Sequence, residues 1–246
     1  MEPAFESIQA KESSLSERTA EQISRLIVER RLTCEDKLPS EFELAEMLGV
    51  GRGSIREGVK LLVARNVLEI RRGKGTYIAP NPGEVPDPLG FIYYPDQFQL
   101  ALDLAEIRLQ MEPWVARMAA EHATEEDIKQ LRESCSVVEQ DILNERDHSQ
   151  NDVLFHVAIA KCTQNLVVPK LIPIITYAVT LFVSLTESRL RMETLVGHRE
   201  IVEAIRDRDG RRAEKAMVQH IEYNRALLQE IVGKLKKEEN NSNSHI

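Results

Sequence analysis

The stretch "LPSEFELAEMLGVGRGSIREGVKLLVARNVLEIRRGKGTYIA", residues 38–79, decides the fold of the first third of the chain. Ser40 followed by Glu43 predicts the N-terminal cap of a helix, and "GVG" at 49–51 predicts its end. A second helix follows in "RGSIREGVKLLVARN", and two short strands, "VLEIRR" and "TYIA", are joined by "GKG". An amphipathic helix is predicted upstream, at 15–31. This order predicts a winged helix-turn-helix.

A composition break divides the chain directly after this stretch. The segment "APNPGEVPDP", residues 79–88, contains four prolines and a glycine, which interrupt helices and central strands. The remainder shows helical periodicity without strand alternation, and it predicts an antiparallel bundle. We therefore expect a mainly α protein with an N-terminal winged helix-turn-helix domain at 1–80, a linker at 81–97, a C-terminal antiparallel all-α helical bundle at 98–234 and a frayed tail at 235–246. Within the bundle, the predicted helices cover about 98–122, 125–146, 149–163, 171–190, 193–207 and 211–236.

The composition favours a folded, cytoplasmic protein without a membrane anchor. Of the 246 residues, 42% are hydrophobic, which is enough to bury a core. The longest uncharged run, residues 171–185, is shorter than the roughly 20 apolar residues of a membrane span, and it contains Pro173. The first residues lack the basic and apolar regions of a signal peptide. Three cysteines without a closely spaced pair fit reduced thiols, so we expect a cytoplasmic location.

A basic island, residues 49–78, lies within an otherwise acidic chain. It carries seven basic and two acidic side chains, whereas the whole chain has a net charge of −8. A global sum hides local fields, so the negative total does not exclude nucleic acid as a partner. The alternative is a solvated helix face followed by a turn. Because the charge, the helix-turn-helix and the hairpin occur in the right order, we favour binding of double-stranded DNA.

The second helix of a helix-turn-helix enters the major groove, and here that helix begins with "RGSIREG". Arg52 and Arg56 lie four residues apart and project from one face. The planar fork of arginine binds guanine O6 and N7, or a phosphate, in a bidentate way. Ser54 and Lys60 are expected to contact the DNA backbone. Lys74, between two glycines at the hairpin tip, is expected to reach the neighbouring groove of the DNA.

At nearly every position, the stretch 38–79 resembles the DNA-binding domain of the GntR transcription regulators. Members of that family commonly read DNA with two arginines in the recognition helix, which correspond to Arg52 and Arg56. They use a third arginine early in the preceding helix, and that position is Phe42 here. The resemblance implies a DNA-binding transcription regulator whose operator preference departs from the family norm.

Four side chains of the helical domain form a candidate metal site. Asp152 and His156 lie one turn apart in the predicted helix 149–163, and His198 and His220 each lie beside an apolar stripe on a later helix. A bundle can bring these three imidazoles and one carboxylate to a single interior point, where they would suit zinc, nickel or manganese. From spacing alone an alternative remains: Asp152 is favoured near a helix N-terminus, and His156 merely bonds to it.

Residues 98–232 resemble the FCD domain, the all-helical ligand-binding domain of the FadR branch of GntR regulators. Its metal-bearing members show Asp-x-x-x-His on one helix and single histidines on two later helices, as do "DVLFH", "GHREI" and "QHIEY" here. The resemblance implies that these four residues bind a divalent ion, zinc first, and that an organic acid fills its open positions. Arg108 corresponds to an arginine that such domains point into the pocket, and its alternative is a surface ion pair with Glu112. Asn224, one turn after His220, is a candidate supporting hydrogen-bond donor for the effector.

The favoured function is not enzymatic. We expect a repressor that binds a palindromic operator as a homodimer, because one recognition helix reads too few bases for genomic specificity. A small carboxylic acid effector would control its operator affinity. Two alternatives remain open. One is a metal-dependent hydrolase fused to a DNA-binding domain, although no His-Glu-x-x-His supplies a general base beside the ligands, and the other is a regulator that senses the metal itself.

Overall fold

The computed structural model describes residues 13–186 and 190–243. The chain divides into two compact units, and the division falls between Pro88 and Leu89. Each unit has its own buried apolar core. A hydrophobic core of its own is what defines a domain physically, so the two units are described separately.

The division falls inside the segment 81–97 that the sequence predicted to be a linker. Residues 89–97 go with the second unit. Phe91 is 9% exposed and lies in an apolar cluster with Leu100 and Phe182. Burial of this aromatic side chain attaches the end of the expected linker to the helical unit.

The first unit is a winged helix-turn-helix, which confirms the fold expected for it. Its elements are α1 (Leu15–Glu29), α2 (Glu41–Leu48), α3 (Arg52–Ala64), β1 (Leu68–Arg71) and β2 (Gly75–Ile78). Ser40 and Glu43 form a reciprocal capping box at the start of α2, and Gly49 ends that helix with a φ of 64°. β1 and β2 pair antiparallel, with Leu68 opposite Ile78.

The core of this unit orients its third helix. Ile23 of α1, Leu44 of α2 and Ile55 of α3 are buried together in one cluster. Ile55 lies in the same turn as Arg52 and Arg56, and it is buried whereas both arginines are exposed. The packing of the core therefore decides which side chains α3 presents to solvent.

The second unit is helical, and with the first it makes the protein mainly α, as expected. Its elements are a short 3₁₀ helix (Phe91–Tyr93), α4 (Gln97–His122), α5 (Glu125–Leu143), α6 (Ser149–Cys162), α7 (Val168–Ile175), α8 (Tyr177–Thr186), α9 (Arg191–Arg206) and α10 (Gly210–Asn243). α10 packs along α4 and α9, and α5 packs on α6. The main core cluster includes Phe155, Ile201 and Ile221, from α6, α9 and α10.

One helix predicted from the sequence is two helices in the structure. The prediction placed a single helix at 171–190, but Thr176 separates α7 from α8. Pro173 lacks the backbone N–H that a continuous helix would use. The backbone N–H and the hydroxyl of Thr176 both donate to the carbonyl of Ile172, at 2.9 Å each, and close the last turn of α7. Residues 187–189 of the predicted helix lie outside the described residues.

Taken by length and composition alone, the segment Val168–Thr186 is apolar enough to cross a membrane. In the structure it forms two short helices, α7 and α8. Ile172, Val179 and Phe182 of this segment are buried within the apolar clusters of the helical unit. This is the packing expected of a core segment.

The last helix is longer than predicted. α10 continues to Asn243, beyond the predicted end at 236. Residues 235–243, which the sequence predicted to be part of a frayed tail, are therefore helical, and 244–246 lie outside the described residues. The lysines and glutamates at 236–239 have good helix propensity, which favours continuation of the helix through these four residues.

Candidate metal centre and nucleic-acid interface

Three helices bring the four predicted metal ligands together. Asp152 and His156 lie one turn apart on α6, His198 lies on α9 and His220 lies on α10. Their exposed fractions are 5%, 1%, 1% and 2%. Phe155, also on α6, stacks on the ring of His198 with centroids 4.1 Å apart. The core of the helical unit therefore encloses all four side chains.

The donor atoms of these residues converge. His156, His198 and His220 each offer a ring nitrogen, and these nitrogens lie within 4.8 Å of one another. Asp152 Oδ1 is 3.2 Å from His198 Nε2 and 3.6 Å from His156 Nε2. The alternative in which Asp152 and His156 only satisfy each other does not describe this arrangement, because Asp152 lies closer to His198 than to His156.

Several of these donors lack a hydrogen-bond partner. Among the described residues, Asp152 Oδ1, His198 Nε2 and His220 Nε2 are buried without one. The 3.2 Å contact between Asp152 and His198 does not have the geometry of a hydrogen bond. Each such unsatisfied atom costs about 1–3 kcal/mol. A divalent cation would satisfy all of them at once, and three imidazoles with a carboxylate are a donor set that suits zinc.

The protonation states of these residues suit metal binding. Burial lowers the pKa of His198, and burial together with His198 lowers the pKa of His220 further, so both rings are neutral near pH 7. Burial alone would raise the pKa of Asp152, but His198 and His156 outweigh it and hold this pKa below its usual value. The site therefore presents lone pairs and a carboxylate without first releasing protons.

These shifts predict that acid destabilises the metal-free protein. Between the usual histidine pKa near 6.5 and the lowered pKa of the buried rings, the unfolded chain binds more protons than the folded chain. The free energy of unfolding should therefore fall as the pH drops below 6.5. Urea unfolding in excess chelator at pH 7.5 and pH 5.5 measures this change.

The matched variants for this test are His220→Gln and His122→Gln. His220 is buried in the site, whereas His122 is exposed at the end of α4. His220→Gln should reduce the pH dependence of the free energy of unfolding, and His122→Gln should leave it unchanged. Equal unfolding free energies of the unsubstituted protein at the two pH values would contradict the assignment of buried, neutral histidines.

Arg108 lies beside this cluster. Arg108 and Glu112 on α4 are each 2% exposed, so the alternative of a surface ion pair is wrong: the pair is buried. Arg108 Nε donates to Glu112 Oε1 at 2.5 Å, and Arg108 Nη2 lies 3.3 Å from His156 Nε2. One nitrogen of the guanidinium is thus directed at a predicted metal ligand, as an arginine that binds an acid beside the metal would need to be.

Glu112 is a site residue that the sequence analysis missed. Its Oε2 lies 2.5 Å from His156 Nδ1, although the angle at the ring nitrogen is not that of a formal hydrogen bond. The signal was present in the spacing, since Leu104, Arg108 and Glu112 follow one another at four-residue steps along the buried face of α4. Asn224 is 8% exposed on α10, one turn beyond His220, and its role stays a prediction.

The predicted DNA-contacting side chains lie on α3 and at the hairpin tip. Arg52, Arg56 and Lys60 are exposed, and Ser54 is half-buried. Lys74 is exposed between Gly73 and Gly75, whose φ values of 72° and 122° form the turn of the wing. Basic groups are thus exposed on both elements that a winged helix-turn-helix presents to DNA.

A second missed residue, Glu41, holds the fork of Arg56. Arg56 Nη2 lies 2.9 Å from Glu41 Oε2, and Arg56 Nε lies 3.3 Å from Glu41 Oε1. The two side chains are 55% and 36% exposed, and such surface pairs contribute about 0–1 kcal/mol. The pair therefore orients Arg56 without preventing contact with DNA. The neighbouring Phe42, at the position of the family's third arginine, is 58% exposed.

Two family models match the chain. Residues 15–78 match the model described as "Bacterial regulatory proteins, gntR family", and residues 103–223 match the model described as "FCD domain". The first covers α1 to β2, and the second covers α4 to α10. The two matches therefore fall on the two units separately.

Relatives match along most of the chain. The "Uxu operon transcriptional regulator" of Escherichia coli (strain K12) is 32% identical over 216 residues, which are 81% of each chain. The "Galactonate operon transcriptional repressor" of the same strain is 30% identical over 219 residues, or 85% of this chain and 94% of that protein. The solved structure "Streptococcus agalactiae GntR" is 38% identical, with a TM-score of 0.75, and covers 86% of this chain and 99% of its own.

Proposed function

This chain belongs to the GntR family of bacterial regulatory proteins, in the FadR-like branch with an FCD domain, and from that membership we propose a repressor whose operator affinity is controlled by a small organic acid bound at a divalent metal. The relatives are transcription regulators. The metal, the acid and the repressor role are the proposed parts. One observation supports the metal and the acid most directly. Buried metal-binding atoms of Asp152, His198 and His220 lack hydrogen-bond partners, and Arg108, which is also buried, lies beside the cluster that they form with His156.

The metal would be held by Asp152, His156, His198 and His220. Zinc fits this donor set best, and nickel and manganese are the alternatives. The bound ion would supply open coordination positions and positive charge for a carboxylate. Arg108 would donate to the same carboxylate through its terminal nitrogens, since its Nε is engaged with Glu112. Asn224 is the proposed supporting donor.

The proposed acid is a hydroxylated monocarboxylic acid. The galactonate repressor among the relatives is named for the operon of a sugar acid. A carboxylate suits the ion and Arg108, and hydroxyl groups suit a polar neighbour such as Asn224. The site would bind such an acid more tightly in one state of the regulator than in the other. Only that difference can change operator affinity.

On DNA, we propose a homodimer on an inverted repeat. Arg52 and Arg56 would read base edges in each half-site, Ser54 and Lys60 would contact phosphates, and Lys74 on the wing would reach the adjoining groove. Two-fold symmetry supplies the number of base contacts that one recognition helix lacks. The protein would act in the cytoplasm, where the operator is.

A regulator is favoured over a metal-dependent hydrolase. Hydrolysis at a metal needs a general base free to take a proton from water. Glu112, which does contact the ligand set, has one oxygen on Arg108 and the other on His156. That carboxylate is therefore committed to orienting other side chains.

The test is operator selection followed by titration with acids. We expect an inverted repeat to be enriched from a random duplex library at fixed salt. D-galactonate and related hydroxy acids should then weaken binding of the zinc-loaded protein to that duplex by about 5- to 150-fold, the range typical of allosteric coupling. Arg108→Gln should remove the response to acid.

Each other outcome of this experiment has a distinct meaning. An operator affinity that follows free zinc and ignores every acid would identify a metal sensor instead. An operator affinity that responds to neither would contradict the proposed control of the site, although the DNA-binding function would stand. Turnover of ester, amide or phosphate substrates by the zinc-loaded protein would favour the hydrolase.

A further inference from the structure

Glu112 is a buried carboxylate that joins the metal cluster to the arginine beside it. It is 2% exposed, and each of its oxygens lies close to a nitrogen of a different side chain. Oε1 accepts from Arg108 Nε at 2.5 Å, on the same helix, and Oε2 lies 2.5 Å from His156 Nδ1, on α6. Its position is therefore set by α4 and α6 together.

The contact with Nδ1 determines which ring nitrogen of His156 carries the proton. A neutral imidazole has one N–H and one lone pair. Arg108 Nε donates to the same carboxylate and places a positive charge beside it. A lone pair facing a carboxylate at 2.5 Å would be repelled, so the proton belongs on Nδ1. The lone pair is then on Nε2, the nitrogen that lies 3.6 Å from Asp152 Oδ1 in the cluster.

The same carboxylate limits how Arg108 can be used. Because Nε is engaged with Glu112, the guanidinium turns its terminal nitrogens toward the cluster. Nη2 lies 3.3 Å from His156 Nε2 and is a donor to that lone pair. A cation bound at Nε2 would take the lone pair and release Nη2 to donate elsewhere. Glu112 thus orients both the ligand nitrogen and the donor that would become free.

We propose that Glu112 is a positioning residue that prepares His156 for metal and Arg108 for the acid; this rests on the proposed function. Histidine ligands whose second nitrogen donates to a carboxylate bind metal more tightly, and loss of such a partner weakens binding by 10- to 100-fold. Glu112 is not one of the proposed ligands of the ion, and it is not a proposed contact of the acid. It acts through the two side chains that it holds.

The decisive substitution is Glu112→Gln, which keeps the shape and removes the charge. The amide oxygen should face Arg108 Nε, which leaves the NH₂ group to face His156 Nδ1. Nδ1 must then accept, so the proton moves to Nε2 and the lone pair is lost to the cluster. The matched control is Glu106→Gln, an exposed position on α4.

Two measurements on the full-length chain test the proposal. Nitrogen NMR shifts of the His156 ring in chelator-treated protein should show an N–H at Nδ1 in the unsubstituted protein and at Nε2 in Glu112→Gln. Competition with a chromogenic chelator should show zinc bound about 10- to 100-fold more weakly by Glu112→Gln, and unchanged by Glu106→Gln. Glu112→Asp, which keeps the charge, should retain the Nδ1 tautomer and recover part of the zinc affinity.

The proposal is overturned if Glu112→Gln keeps the Nδ1 tautomer or binds zinc as tightly as the unsubstituted protein. If that variant does not fold, the double variant Arg108→Met with Glu112→Leu removes both buried charges and leaves His156 Nδ1 without a carboxylate, so zinc should again bind about 10- to 100-fold more weakly. If the unsubstituted protein binds no zinc, nickel or manganese, the metal-dependent part of the proposed function is refuted. The His156 tautomer in metal-free protein would still decide the role of Glu112.

Discussion

Replacing both Arg52 and Arg56 by alanine is expected to abolish sequence-selective DNA binding. Both side chains are exposed on α3, whereas Ile55 of the same turn is buried. A bidentate contact between arginine and guanine contributes about 1–3 kcal/mol of discrimination. Two such contacts would correspond to roughly a 30-fold to 10⁴-fold loss of affinity for the selected operator. Fluorescence anisotropy with the selected duplex and a scrambled duplex, at one salt concentration, measures this loss.

The control for this prediction is Arg132→Ala. Arg132 is an arginine of similar exposure, 51%, but it lies on α5 in the helical unit. It should leave both duplex affinities unchanged. A double variant that still prefers the selected duplex over the scrambled one would show that other residues read the bases. Phe42, exposed on α2, would then be the first of these to substitute.

Replacing His198 by alanine is expected to remove most of the metal affinity. Its Nε2 is buried, lacks a hydrogen-bond partner among the described residues and lies 3.2 Å from Asp152 Oδ1. Four-ligand zinc sites have apparent binding free energies of roughly 10–16 kcal/mol, or about 2.5–4 kcal/mol per ligand. Loss of one ligand should therefore weaken zinc binding by roughly 100- to 1,000-fold. Isothermal titration at pH 7.5 measures the change.

Thermal unfolding supplies an independent readout of the same loss. A ligand that binds only the folded state raises the unfolding temperature, and at a fixed ligand concentration the increase grows with the logarithm of its affinity. Zinc should therefore stabilise the unsubstituted protein and the control His122→Ala, whose histidine is exposed on α4, but not His198→Ala. Zinc bound in equal amount and with equal affinity by His198→Ala would refute the assignment of His198 as a ligand.

The elements that the sequence predicted best are those with local signals at both ends. The helix that begins after Ser40 has a capping box at its start and a left-handed glycine at its end, and the structure contains both. The prediction at 171–190 was wrong because periodicity alone does not show where a helix is interrupted. The structure interrupts it at Thr176, three residues after Pro173.

The candidate site also has features that the sequence predicted and features that it did not. The spacing of Asp152 and His156 is local to one helix, so it was visible in the sequence. That His198 and His220 reach the same point depends on how α9 and α10 pack on α6, and the sequence supported this only through a family resemblance. The burial of Arg108 with Glu112 was not predicted, because a pair four residues apart has the same spacing on a surface as in a core.

The sequence by itself determined the winged helix-turn-helix at 15–78, the basic residues of α3 and the family of the protein, because these depend on neighbouring residues and on charge. Only the tertiary structure decided that one carboxylate, Glu112, contacts both Arg108 and His156. That contact joins two helices that are far apart in sequence. Its existence depends on the packing of α4 against α6, to which core residues throughout the helical unit contribute.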